Sequence, residues 1–460
     1  MKSTYNSLRR WAAGLGAVIA VAGAASAQNL NSAYFTDGYL YRYQLNPAFA
    51  NEKNFVSIPA LGNINVGVNG TLHLKDVLYN VNGKTTTFLN PAVDTNEFLN
   101  NIGNNNRLGS DIRINVLSAG FKAFHGYNTI TLGVRANVNA KLPRELFSLL
   151  KQGVENNTYN ISDVRANATA WVELGLGHSH QINNQLRVGG TLKFLVGGGN
   201  LDAVFNDAQL QLTDNSWNAI TNADLHSSVK GLTYKTDVNN NTGHRYVSGL
   251  DVDGTGINGY GLAFDLGASY RLNQDWMFSL SLLDLGFISW KNDMLASTNG
   301  TQKFESNLYT FNVEDDAPNS FDNEWDKIKD DVSALYELND MGDQGGRTTA
   351  LGATLNVAAE YTFPYYRKLT FGGLVTTRIQ GDFSWCEARI SANVAPVKIF
   401  SAGINMGMGS FGCSFGWILN LHCPGYNLFL ATDHTPGKLA KQGAPLSSNA
   451  NISLGMNVQF

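Results

Sequence analysis

The sequence predicts an all-β fold, a transmembrane antiparallel β-barrel of about fourteen strands with long extracellular loops, and three observations predict it. Apolar and polar residues alternate with period two in many segments of about ten residues, the length a tilted strand needs to cross a bilayer. Formal charges inside those segments keep to the polar parity. Connections alternate between short and long, as they do in barrels with tight turns at one end and long loops at the other.

Composition excludes the competing classes. Of 460 residues 43% are apolar and only 15% charged, which argues against a disordered chain or a coiled coil. Three cysteines are too few for a disulfide scaffold, and Cys386, Cys413 and Cys423 form no metal-ligand pattern; three thiols are expected, or one disulfide among them. A formal charge of -4 supplies no basic face, so no nucleic-acid partner is expected.

Residues 1–27 read as a secretory signal. Lys2, Arg9 and Arg10 make the charged region, Ala12 to Ala24 the apolar region, and Ala25-Ser26-Ala27 the cleavage site. Cleavage would leave 30 basic against 37 acidic residues, a charge of -7 on an exported chain. Residues 28–54 precede the barrel, which is expected to occupy residues 55–460.

Ile130 to Ala140 shows the strand pattern most plainly. Ile130, Leu132, Val134, Ala136, Val138 and Ala140 make one face, while Thr131, Gly133, Arg135, Asn137 and Asn139 make the other. The pattern returns at 166–178, 186–196, 260–272, 351–363, 369–379, 388–394, 400–408 and 452–460. Arg135, Glu173, Arg187, Lys193, Asp265, Arg271, Glu360, Arg378, Glu387 and Arg389 all fall on the polar parity and are the candidates for lining the lumen. Six are basic and four acidic, so no strong ion selectivity follows. Tyr260, Trp276, Tyr361, Phe363 and Phe460 stand at strand ends, as interfacial girdle residues do. The segment Trp276 to Trp290 breaks the rule, because Asp284 falls on the apolar parity; a bulge near Leu282 would restore register.

Strand number turns on residues 198–258, which must hold no spanning strand or two. Clusters of Asp, Asn and Gly without clean alternation favour none, giving fourteen strands, with sixteen as the alternative. The stretch from Ile399 to Thr432 has no formal charge, but its glycines and the alternation from Phe400 to Met408 predict strands and no membrane helix.

Other motifs lead nowhere further. The run from Gly254 to Gly259 spells a dinucleotide fingerprint but precedes a strand, and Asp251 and Asp253 lack the twelfth-position glutamate of a calcium loop. His178 and His180 share a strand face without an evident third ligand. No Ser, His and carboxylate group by motif, so no enzyme, cofactor or metal is expected. The loop Lys291 to Arg347 carries thirteen acidic against five basic residues and is expected to be a solvated outer loop with a short helix near Trp325 to Leu338, or a surface that captures cations or a partner.

The C-terminus, Ser453-Leu454-Gly455-Met456-Asn457-Val458-Gln459-Phe460, resembles the assembly signal of bacterial outer-membrane barrels, with Ser453, Gly455, Val458 and Phe460 at its key positions. That resemblance implies the bacterial cell outer membrane as location, its lipid as surroundings and the barrel insertion machinery as partner. Asn46-Pro47-Ala48-Phe49, the run Ile58 to Asn65, Leu99 to Arg107, Lys141 to Leu146 and Leu186 to Gly199 resemble a Bacteroidota family of uncharacterised outer-membrane proteins. More distantly, the Asn46-Pro47-Ala48 motif is similar to one in the long-chain fatty-acid channels and in barrels associated with type IX secretion and gliding. By the first of these likenesses, residues 28–54, with Asn46 and Pro47, would form a plug in the lumen; a periplasmic extension is the alternative. The function so implied is passive transport of a small hydrophobic molecule through a plugged lumen. The alternative is a surface or secretion-accessory scaffold with a protein partner.

Overall fold

A computed structural model describes residues 30–460 apart from 52, 83, 153–157, 213–216, 239–244, 255, 306–336 and 436–448. The signal segment, most acids of the 291–347 loop and residues 325–336 of its expected helix lie outside the described residues.

Alternation closes the chain into a barrel of 14 antiparallel strands. These are β1 (Phe55–Ser57 and Asn63–Gly70), β2 (Asn105–Ala123), β3 (Gly126–Pro143), β4 (Val164–Gln181), β5 (Leu186–Leu212), β6 (Gly259–Arg271) and β7 (Trp276–Trp290). They continue with β8 (Arg347–Ala350 and Ala353–Thr362), β9 (Leu369–Ile379), β10 (Trp385–Val397), β11 (Phe400–Gly409), β12 (Gly412–Cys423), β13 (Tyr426–Thr432) and β14 (Ala450–Gln459). Each pairs with its neighbour in sequence, and β14 closes on β1 with Val56 opposite Val458 and Ile64 opposite Leu454. Ile130, Val134, Leu174, Phe194 and Phe264 point outward and are exposed, whereas Thr131, Arg135, Glu173, Lys193 and Asp265 are buried on the inner face. No helix among the described residues is long and apolar enough to cross a membrane.

Two irregularities matter for the interior. Residues 58–62 loop out of β1, with Ala60 in the left-handed region at φ 59° and its N–H donating to the Val116 carbonyl at 2.9 Å. In β7 the register slips where Leu283 and Asp284 oppose Asp265, so even positions face out before the bulge and Leu285 and Phe287 face out after it. The bulge lies one residue beyond the expected place and turns the Asp284 side chain inward.

Residues 198–258 add no spanning strand, yet they are not a plain loop. β5 runs on for 27 residues, and where β6 leaves it at Gly197 the strand Trp217–Val229 takes over the pairing with Gly199 to Leu212. Met294–Ser297, Gln302–Glu305 and Asn339–Asp343 extend this outer sheet. A hairpin of Leu232–Val238 and Arg245–Val252 packs on it through Leu232 and Tyr234. The Tyr234 hydroxyl donates to the Ser227 hydroxyl at 2.9 Å, and burial pushes its pKa up to about 12. Elsewhere at this end, α2 (Thr95–Asn101) follows α1 (Leu74–Val77), and α3 (Arg144–Gln152) follows β3. Asp94 caps α2 by accepting the Glu97 N–H at 2.8 Å, and Phe98 stacks on Phe88 at 4.4 Å between ring centroids, next to Phe147 of α3.

Candidate functional site

Three features make up the barrel interior. The first is the chain from Leu30 to Asn51, which has no strand or α-helix and satisfies its backbone on the wall. The Leu45 carbonyl accepts Ser281 Oγ at 2.7 Å and Asn356 Nδ2 at 3.1 Å, and the Asp37 carbonyl accepts Ser401 Oγ at 2.6 Å. The Ala48 carbonyl accepts Ser179 Oγ at 2.8 Å. Tyrosine hydroxyls reach Ser279 from Tyr34 at 3.0 Å, Asn457 from Tyr41 at 2.6 Å and Thr131 from Tyr43 at 2.8 Å. These partners belong to β3, β4, β7, β8, β11 and β14, on every side of the barrel, so the segment occupies its interior.

Asn46 and Pro47 make the tightest fit. Asn46 is fully buried; its Nδ2 donates to the carbonyls of Ala268 at 3.3 Å and Leu280 at 3.2 Å, and its Oδ1 accepts the Ala48 N–H at 2.9 Å. A Cβ at Gly267 would overlap the Asn46 amide and one at Gly189 the Pro47 carbonyl, so glycine at these two wall positions admits the motif. Around it Tyr34, Phe35, Tyr39, Tyr41 and Phe49 pack with Leu374, Ile418 and Phe429 of the wall into one apolar cluster. Each large side chain buried there contributes on the order of 1.5–3 kcal/mol.

The second group is an ionic layer. Arg135 donates from both terminal nitrogens to Asp284, at 2.8 and 3.0 Å, and to Glu173 at 3.2 Å. Lys193 bridges Asp284 at 2.6 Å and Asp265 at 2.7 Å, while Arg113 and Arg378 approach Asp284 at 3.8 and 3.6 Å. Asp284 holds φ 58° in its bulge, and its own N–H donates to Asp265 at 2.7 Å. Arg113 and Arg135 stand directly opposite each other in the β2–β3 ladder, a like-charge pairing that costs stability unless an acid lies between. Asp284 supplies that acid.

A smaller charged group ties the start of the segment. Glu387 accepts Arg389 on both oxygens at 2.8 and 2.9 Å and Ser414 Oγ at 2.9 Å, and Arg389 also donates to Asn405 and to the Asp433 carbonyl at 3.2 Å. The Asp433 carboxylate accepts the N–H groups of Asn31 and Ser32. His434 beside it is held neutral to lower pH than an ordinary histidine, because burial penalises its charge.

The third feature is a cavity of about 1140 Å³ at the short-turn end, bounded on the inside by Phe35 to Leu40. Arg187, Arg271 and Glu360, also on the polar parity, line this cavity and lie away from the ionic layer. Arg42 faces Glu360 at 4.0 Å and lies over the Phe49 ring at 4.4 Å.

Among the positions singled out by motif, Ser453 is buried, while Val458 and Phe460 point outward. All three cysteines are unpaired, and His178 and His180 stack at 5.9 Å. Among the described residues no group of three His, Cys, Asp or Glu is placed to hold a metal ion. The parity rule left out Asp284, as well as Asp111 and Arg113, which sit on β2; the signal for Asp284 was the break in alternation itself.

A family model described as "Family of unknown function (DUF5723)" matches residues 47–433. No curated protein matches the chain. Among solved structures, the chain is similar to the P. putida toluene transporter TodX at 9% identity, covering 90% of each chain with a TM-score of 0.39. A Pseudomonas aeruginosa FadL homologue aligns at 10% identity over 95% of this chain and 98% of that one, with a TM-score of 0.36. The translocator domain of the autotransporter NalP from Neisseria meningitidis aligns at 9% identity over 89% of each chain, with a TM-score of 0.32.

Proposed function

This chain belongs to the DUF5723 family, and we propose that it is an outer-membrane barrel for passive transport of a small hydrophobic molecule, with residues 28–54 as a plug. One observation carries the reading: the interior segment meets the wall through an apolar, largely aromatic cluster, which suits an uncharged apolar solute better than an ion. Away from its charged ties at Asp433 and Glu360, its polar contacts are individual hydrogen bonds, each worth about 0.5–1.5 kcal/mol net, so it can shift in part without the wall opening. The outward apolar side chains and the C-terminal motif ending in Phe460 support insertion in the outer membrane by the barrel insertion machinery.

The test is uptake of toluene into proteoliposomes, and conductance in planar bilayers, for the mature chain and for a form lacking residues 28–54. Flux through the mature chain that rises on deletion supports the reading. Absence of flux in both forms, with folding shown by heat-modifiable migration, would sink it.

The outer sheet favours a second reading, a surface scaffold for a protein partner. It projects β5 well past its pairing with β6 and offers an ordered face beyond the barrel. Site-specific crosslinking from Lys235 in cells, recovering one stoichiometric partner, is the result that reading requires.

A further inference from the structure

We propose that the cavity at the short-turn end is a docking site for an acid-rich peptide segment of a partner protein. The chain as a whole is acidic at -4, and the sequence between its β7 and β8 strands carries thirteen acids against five bases. The cavity reverses this. Arg187, Arg271, Arg367, Lys368, Lys398 and Lys53 line it together with Arg42, and only Asp37 and Glu360 oppose them, which leaves a formal charge of +5.

Most of that charge is not consumed locally. Glu360 faces Arg42, and Arg367 is matched by Asp275 at 2.8 Å, just outside the cavity lining. Lys368 donates only to the Pro396 carbonyl, at 2.6 Å. Among the described residues the side chains of Lys53, Arg271 and Lys398 form no hydrogen bond or ion pair, and all three are exposed. A mouth lined by one sign of charge concentrates ligands of the other sign and speeds their arrival.

The arrangement fits an extended polyanion. The cations come from five places: the base of β5, the base of β6, the β8–β9 turn, the β10–β11 turn, and the end of the interior segment. They ring a cavity of about 1140 Å³ and do not converge on one point, as a lone phosphate would require. An extended peptide places a side chain every ~3.3 Å, alternately on two sides, and so can meet several of them while its other side chains reach Leu40, Phe49, Met277 and Val394 inside. This inference stands apart from the transport reading.

The probe is rhodamine-labelled hexaglutamate, read by anisotropy against the full chain in phosphatidylcholine nanodiscs at low salt. Saturable binding is expected, about tenfold weaker in the double variant R271E, K398E and weakened by added salt. Both positions are exposed on the rim, and heat-modifiable migration verifies that the variant folds. Inorganic phosphate at matched charge should displace little of the peptide. The proposal is overturned by absence of saturable binding, by unchanged binding in the double variant, or by equal displacement with phosphate, which would make the cavity a small-anion pocket.

Discussion

Asp284 and Arg135 meet inside the barrel as a two-point pair, from strands with three others between them and from positions 149 residues apart in sequence. Asp284 reaches the pair only because the β7 bulge holds it at positive φ. Replacing Arg135 by Ala should cost about 3–5 kcal/mol, since it leaves Asp284 and Glu173 short of a buried cation. Asp284→Asn should cost less than Asp284→Ala, because Asn tolerates the left-handed backbone and keeps one acceptor. Urea unfolding of wild type and the three variants in micelles checks the order; variant midpoints equal to wild type would show that the layer contributes nothing to stability.

Asn46→Ala removes the donor to two wall carbonyls and the acceptor for the Ala48 N–H. The two carbonyls keep their sheet ladders, but the buried Ala48 N–H is left unmatched, which should cost about 1–3 kcal/mol and loosen the interior segment. Protease sensitivity of residues 30–51 in the folded barrel should rise; a cleavage pattern equal to wild type would contradict this.

His434 sets a pH dependence. Its folded pKa lies below the unfolded value of roughly 6.5, so the unfolded state binds the proton first as pH falls. Stability from this site is complete above about pH 6.5 and declines below it. The charged groups acting on the ring are Glu387, Asp433 and Arg389. His434→Gln should flatten the stability profile below about pH 6.5, measured by unfolding midpoints at each pH.

Phe460→Ser should lower the fraction of chains assembled in the outer membrane several-fold while leaving the refolded protein's stability nearly unchanged, because the ring is exposed at the end of β14. Fractionation of cells expressing each form, set beside in vitro unfolding, separates the two effects. A matching loss of stability would make Phe460 a packing residue.

The wall was legible because its two faces differ in chemistry at every second residue, and because charge placement repeated the message. Residues such as Ile130 and Arg135 declare their side without any knowledge of partners. The ionic layer was half legible: Arg135, Glu173, Lys193, Asp265 and Arg378 showed by parity, but their convergence on Asp284 depends on a bulge. The sequence marked that bulge only as an exception. The outer part of β5 was hidden for another reason, since Asn200, Asp202 and Asp207 in a strand beyond the apolar zone have no lipid to alternate against. The place of residues 30–51 could not be read at all from pattern. That stretch has no strand-length apolar alternation, and its fit depends on glycines at 189 and 267, far away in the chain.

The interior segment also shapes the order of folding. Tyr41 bonds Asn457 across 416 positions, and Asn31 bonds Asp433 across 402, so the earliest residues of the barrel wait for nearly the last. Contacts of such sequence separation pay a large loop-closure entropy and slow the search for the native topology. The β14–β1 seam is therefore expected to zip around a segment already threaded, and a chain that closes first would hold the ionic layer without the segment. Refolding should show a fast phase from chains that thread first and a slow one from chains that must reopen, and supplying residues 28–54 as a separate peptide should rescue a chain that lacks them only if added before closure.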